Sequence, residues 1–77
     1  MSTKMLIKQT IIKSSSTIKK VSYDTDNSIL IIAFKSGEVY HYKNVPLNVY
    51  DEMVNASSAG KYLWANIRGK YMFEKRS

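Results

Sequence analysis

Ile29-Leu30-Ile31-Ile32-Ala33-Phe34-Lys35-Ser36-Gly37-Glu38-Val39-Tyr40-His41-Tyr42 is the stretch on which the fold turns. Its first six residues are apolar and rich in β-branched types, which suit a pleated strand better than a helix. A strand apolar on both faces belongs in the centre of a sheet or under a cover. Lys35 to Glu38 is short and polar, and Gly37 supplies the positive φ that a tight hairpin connection requires. Val39 to Lys43 then returns as an aromatic strand, with Tyr40 and Tyr42 on one face and Val39 and His41 on the other.

Working outward toward the N-terminus, Thr25-Asp26-Asn27-Ser28 is a run of turn formers, and Ile18 to Asp24 before it has strand composition. The three segments predict a three-stranded antiparallel meander. Farther out, Ser14-Ser15-Ser16 is a polar break. Met5-Leu6-Ile7 and Ile11-Ile12 supply either an extra N-terminal strand or a contact with a second copy, so homodimerisation through residues 4–12 is one expectation.

Toward the C-terminus, Pro46 marks a change from strand to helix, since proline suits a helical first turn. Leu47, Tyr50, Met53 and Val54 recur at helical spacing, and Asp51 and Glu52 lie toward the helix's positive end. Ser57-Ser58 offers an N-cap for a second helix over about 59–68, with Leu63, Ile67 and Tyr71 on one side and Gly69 as its stop. Phe73 to Ser77 reads as a loose basic end. The fold class is therefore α+β: a meander followed by two short helices. Residues 1–11 form an extension, 12–73 the domain and 74–77 a basic tail.

The chain has 77 residues, enough for one domain with a modest core, and its 44% hydrophobic content argues against wholesale disorder. Without cysteine, neither disulfides nor a thiolate metal site can add stability, which points to a reducing compartment, the cytoplasm. Lysines interrupt residues 1–13, so no signal peptide or membrane span is read there. The net charge of +6 comes from twelve basic against six acidic residues and favours acidic partners, nucleic acid, an anionic membrane or an acidic protein surface, while a small lysine-rich chain is also basic for solubility alone.

Several pieces of this chain occur together in one known family. Ser15-Ser16-Thr17-Ile18, Val21-Ser22-Tyr23-Asp24, Leu30 to Phe34 with Gly37, Tyr40-His41-Tyr42, Val45-Pro46 with Val49-Tyr50, and Gly60-Lys61-Tyr62 with Ile67-Arg68 and Tyr71 resemble the KTSC family. That family is named for a domain at the C-terminus of some lysyl-tRNA synthetases and also occurs as small free-standing bacterial and phage proteins. The resemblance spans residues 12–73 and implies a β-meander followed by two helices. It carries no assigned chemistry, and its link to RNA is an analogy. Two departures stand out: Ser22 replaces a usual glycine, and Leu63-Trp64 replaces a usual Phe-Asn pair.

The residue inventory favours binding over catalysis. His41 is the sole histidine and has no partner legible in sequence, while Asp24 and Asp26 flank a turn. Asp51 and Glu52 are adjacent on a helix and point apart. No catalytic group, metal site or cofactor is expected. Two surfaces draw attention instead. Lys61, Trp64 and Arg68 follow the spacing of one helical stripe, with Lys70 and Tyr71 close behind. Cations beside an aromatic plane suit single-stranded nucleic acid, although Trp64 covering the core would explain it as well. Tyr23, Tyr40 and Tyr42 form a second aromatic set, readable as a base-stacking sheet face or as core under the helices. The leading expectation is a non-catalytic, RNA-favoured binding module. The alternative is a protein-interaction module, such as a phage-encoded inhibitor that blocks a host enzyme in the host cytoplasm.

Overall fold

In a computed structural model, which describes residues 7–12 and 15–76, the central hairpin forms as its composition requires. Strands β3 (Ile29–Phe34) and β4 (Val39–Tyr42) pair antiparallel, Leu30 opposite Tyr42 and Ile32 opposite Tyr40. The turn closes through Gly37 N–H to the Phe34 carbonyl at 3.0 Å and Phe34 N–H to the Glu38 carbonyl at 2.8 Å. Gly37 has φ +102°, so the glycine is required by the backbone.

Strand β2 (Ile18–Asp24) flanks β3, and β1 (Ile7–Ile11) flanks β2. The turn after β2 is organised by Asp24, whose Oδ1 accepts from Asp26 N–H at 3.0 Å and Asn27 N–H at 3.2 Å. Asn27 Nδ2 donates to its Oδ2 at 2.9 Å. This side-chain bond chiefly holds the Asp24 carboxyl below its ordinary pKa, against the opposing effect of burial. A register shift between Ile18 and Lys20 puts one extra residue in β2, so Ile18 and Val21 both reach the core despite being three apart.

The expected three-stranded meander forms as β2-β3-β4, within a five-stranded antiparallel sheet of order β1-β2-β3-β4-β5. The N-terminal extra strand exists at Ile7–Ile11; residues 4–6 of the expected dimer contact lie outside the described residues. The fifth strand, β5 (Phe73–Lys75), falls where a loose tail was expected. It pairs with β4, Phe73 opposite Tyr42, and Phe73 packs on Tyr40 and Tyr42 with ring centroids 5.3 and 5.4 Å away.

Both helices lie between β4 and β5 in the chain. Helix α1 (Leu47–Asn55) begins after Pro46, which is its N-cap rather than a residue of its first turn. Asp51 and Glu52 therefore sit beyond the first turn, where the helix dipole no longer favours them strongly. The buried stripe is Val49, Tyr50 and Met53; Leu47 is exposed and Val54 half-buried, so the apolar face is rotated from the one expected. Helix α2 (Ala59–Tyr62) is capped by Ser58, whose Oγ accepts from Lys61 N–H at 3.3 Å. It continues as a π-helical turn over Leu63–Ile67, closed by Arg68 N–H to the Leu63 carbonyl at 2.9 Å. Gly69, at φ +85°, ends it.

Cross-strand partners share a face, so the register sorts the sheet. One face carries Val21, Tyr23, Leu30, Ile32 and Tyr42, all buried with Met53, Leu63 and Ile67 from the helical segments. The other face carries Ser22, Asp24, Ile31, Ala33, Val39 and His41. Among the described residues no helix is long and apolar enough to cross a membrane.

Candidate nucleic-acid interface

Leu63 and Trp64 show how the helical segment divides core from surface. Leu63 is buried, whereas the next residue, Trp64, is 66% exposed. The reading of Trp64 as a cover for the core does not apply. Arg68, at the end of the π-helical turn, lies with its guanidinium carbon 3.8 Å from the centroid of the indole. That geometry is a cation–π stack, which keeps the charge at the ring surface.

The indole stands between two grooves. The larger, about 550 Å³, is lined by Ser16, Thr17, Ser58 and Lys61 and by the apolar Ile18, Phe34 and Leu63 beside Trp64. It mixes hydroxyls with apolar side chains and includes one cation, Lys61. The smaller, about 290 Å³, runs along Phe34, Tyr40, Tyr42 and Phe73 beside Arg68, with Glu38 also in its lining. Trp64, Leu63, Thr17 and Phe34 belong to both, so Trp64 is a ridge between them. The aromatic wall is continuous: Phe34 meets Tyr40 edge-on at 5.5 Å, and Tyr40 stacks near Tyr42 at 6.3 Å.

Of the residues read from sequence, Lys61, Trp64 and Arg68 come together here. Lys70 is exposed on the turn beyond, its N–H bonded to the Ile67 carbonyl at 3.0 Å. Tyr71 is half-buried against the core and lines neither groove. The second aromatic set does not form an exposed surface. Tyr23 and Tyr42 are each 3% exposed because this is the face the helices cover. Tyr23 donates its hydroxyl to the Val45 carbonyl, which answers the need of a buried phenol. Burial raises the Tyr42 pKa, with the Arg68 charge opposing. Tyr40 alone reaches a groove while half-exposed.

Phe34, Phe73, Glu38, Thr17 and Ser58 were not singled out as site residues. Phe73 was hidden because its placement depends on β5, and the serines because a polar break is the ordinary reading of such a run. His41 lies on the opposite sheet face, paired across strands with Ile31 and Glu74. Burial holds its pKa below the ordinary imidazole value, helped by repulsion from Arg76 and opposed by Glu74. Among the described residues no three His, Cys, Asp or Glu side chains gather as metal ligands would.

A five-stranded antiparallel sheet with one face under two short helices, and an aromatic, cationic groove at the helix end, defines a small α+β module. Residues 14–71 match the KTSC domain, and the chain belongs to that family. It is 42% identical over 62 residues to a lysine–tRNA ligase of Trichormus variabilis and, over the same length, 42% identical to one from Nostoc punctiforme. Each match covers 80% of this chain but spans only 11% of the ligase's length. The crystal structure of a KTSC domain protein from Yersinia pestis superposes with a TM-score of 0.83 at 32% identity, covering 94% of this chain and 100% of that one.

Proposed function

We propose that this chain is a small non-catalytic module of the cytoplasm that binds single-stranded RNA across Trp64, with Lys61, Arg68 and Lys70 supplying the phosphate contacts. The observation that carries the reading is Trp64 itself: 66% exposed, overlaid by Arg68 at 3.8 Å, and flanked by a groove on either side. Leaving a large aromatic in water forgoes the gain of burying it, and base stacking on such a ring is worth roughly 1–3 kcal/mol. The hydroxyls of Ser16, Thr17 and Ser58 in the larger groove are of the kind that contact ribose and phosphate oxygens. Two relatives that match 80% of this chain are ligases of a tRNA, which makes RNA the favoured nucleic acid.

A second reading, a protein-interaction surface, is favoured by the exposure of Met72 and Phe73, at 80% and 53%, in addition to Trp64. One titration separates the two. Wild-type protein is mixed with short single-stranded and duplex RNA and DNA while Trp64 fluorescence is followed at low and physiological salt. The RNA reading expects saturable quenching that survives physiological salt, strongest with single-stranded RNA. Trp64→Ala, followed by anisotropy of labelled RNA, should bind about 5- to 150-fold more weakly, the equivalent of one lost stack. A flat response, or one erased by modest salt, rejects RNA and leaves the protein-interaction reading.

A further inference from the structure

The smaller groove combines groups that no phosphate site would combine. Phe34, Tyr40, Tyr42 and Phe73 line it together with Arg68, yet the acidic residue Glu38 lines it too. Glu38 reaches this position because it follows Gly37 directly, where the hairpin turns back into β4. Its Oε2 lies 3.4 Å from Lys75 Nζ on β5, and its side chain is 47% exposed. Oε1 has no hydrogen bond among the described residues. A carboxylate repels a phosphate and accepts N–H donors, so the negative backbone must stay on the side of Lys61, Arg68 and Lys70.

What enters this groove must then be flat, able to lie on aromatic rings, and edged with hydrogen-bond donors. A nucleobase fits that description. At about 290 Å³ the groove is at the small end of ligand sites, which suits one base rather than a stacked run. The four bases differ at the edge Glu38 would meet. Guanine presents its N1–H and its 2-amino group side by side, matching a carboxylate oxygen or both. Cytosine and adenine present an amino group next to a ring acceptor. Uracil presents one N–H between two carbonyl oxygens, which the carboxylate repels.

Resting on the RNA-binding reading, we propose that the groove beside Trp64 and Arg68 seats a single unstacked base and that Glu38 selects guanine and disfavours uracil. The ridge at Trp64 separates this base from its neighbour, whose ribose and phosphate follow the larger groove. Aromatic stacking gives affinity without choice of base, and the carboxylate adds the choice.

The test uses the full chain and three labelled oligoribonucleotides: an all-uridine oligomer, the same oligomer with one central guanosine, and the same with inosine, which lacks the 2-amino group. Wild type should bind the guanosine oligomer about tenfold tighter than all-uridine, the size of one good base-edge contact, with inosine between them. Glu38→Ala removes a negative charge and should strengthen binding to both, but the guanosine-to-uridine ratio should fall to within about twofold once the edge contact is lost. Equal binding of guanosine and uridine oligomers by wild type, or a ratio that survives Glu38→Ala, overturns the base-selection proposal while RNA binding stands. Failure of every oligomer to bind overturns the RNA-binding reading itself, and the base seat with it.

Discussion

Tyr62 donates its hydroxyl hydrogen to Glu52 Oε1 at 2.6 Å and so fastens α2, which carries the Trp64 segment, to α1. Burial, and then this acceptor, push the Tyr62 pKa up to about 12 from its ordinary 10.0. Because the folded-state value is raised, the contribution to stability is whole below pH 10 and is lost as the pH climbs through about 12. Glu52→Gln removes the charged acceptor but not the burial, so Tyr62 should ionise at a lower pH than in wild type while staying above 10.0. Ring chemical shifts across an alkaline titration would show it, and an unmoved midpoint would mean the hydrogen bond contributes nothing. At this scale, chemistry was readable from sequence where one property decided it. Ser58 is a cap because its hydroxyl is adjacent to a helix start. Tyr23 was ambiguous, because its environment is set by Val45, twenty-two positions away. Leu63 and Trp64 divide between core and surface for a similar reason: the helical phase that separates them is fixed only after α2 docks on the sheet.

The hairpin was the element most completely written in local sequence, because alternation, turn polarity and a single glycine all agree. A Cβ built on Gly37 would meet nothing within 4 Å, so the cost of substituting it is conformational and not steric crowding. At φ +102°, Gly37→Ala should destabilise the fold by roughly 1–2 kcal/mol, the penalty of placing an L-residue in left-handed space. Urea unfolding with Ser36→Ala as the neighbouring control would measure it; equal midpoints for the two variants would show that the turn relaxes freely. By contrast, β5 is three residues long and too short to display a period. It exists because β4 offers an edge and because Phe73 finds Tyr40 and Tyr42 there, a tertiary gain that local propensity cannot show. The bulge in β2 and the π-helical turn after α2 escaped for the same reason, since each adds one residue within a pattern whose average is unchanged. Of the groove's ring residues only Phe73 comes from β5, which is why the sequence singled out Tyr40 and Tyr42 but not the ring that packs on both.

Over the whole molecule, the cations of the β4–β5 edge are paired with carboxylates and the other described cations are not. Glu74 is paired with Lys43 at 3.5 Å and Arg76 at 2.9 Å, and Glu38 with Lys75 at 3.4 Å, so three cations at the β4–β5 edge have carboxylates as neighbours. These pairs are exposed and add little stability, yet they cancel charge locally and lower the Glu74 pKa, chiefly through the Arg76 bond. A charged edge strand of this kind also discourages further strand pairing. Lys61, Arg68 and Lys70 have no ion pair among the described residues, nor have Lys8, Lys19, Lys20 and Lys35, but the first three lie on the helical segment and turn that carry Trp64. The grouping of Lys61, Arg68 and Lys70 around Trp64 is what the RNA reading uses. It has a quantitative consequence for RNA binding. Each cation that neutralises a phosphate of a single strand releases about 0.7 of a counterion, so removing it should flatten the plot of log affinity against log salt by roughly that amount. Lys61→Ala with Lys70→Ala should therefore reduce the slope by about 1.4 and weaken binding to every sequence alike. Lys43→Ala with Lys75→Ala removes the same formal charge from residues already facing carboxylates, and the slope should hardly change. Titrations of one oligoribonucleotide at four salt concentrations would decide it. Equal loss of slope in both double variants would mean that RNA responds only to net charge, and that the surface around Trp64 holds no privileged phosphate path.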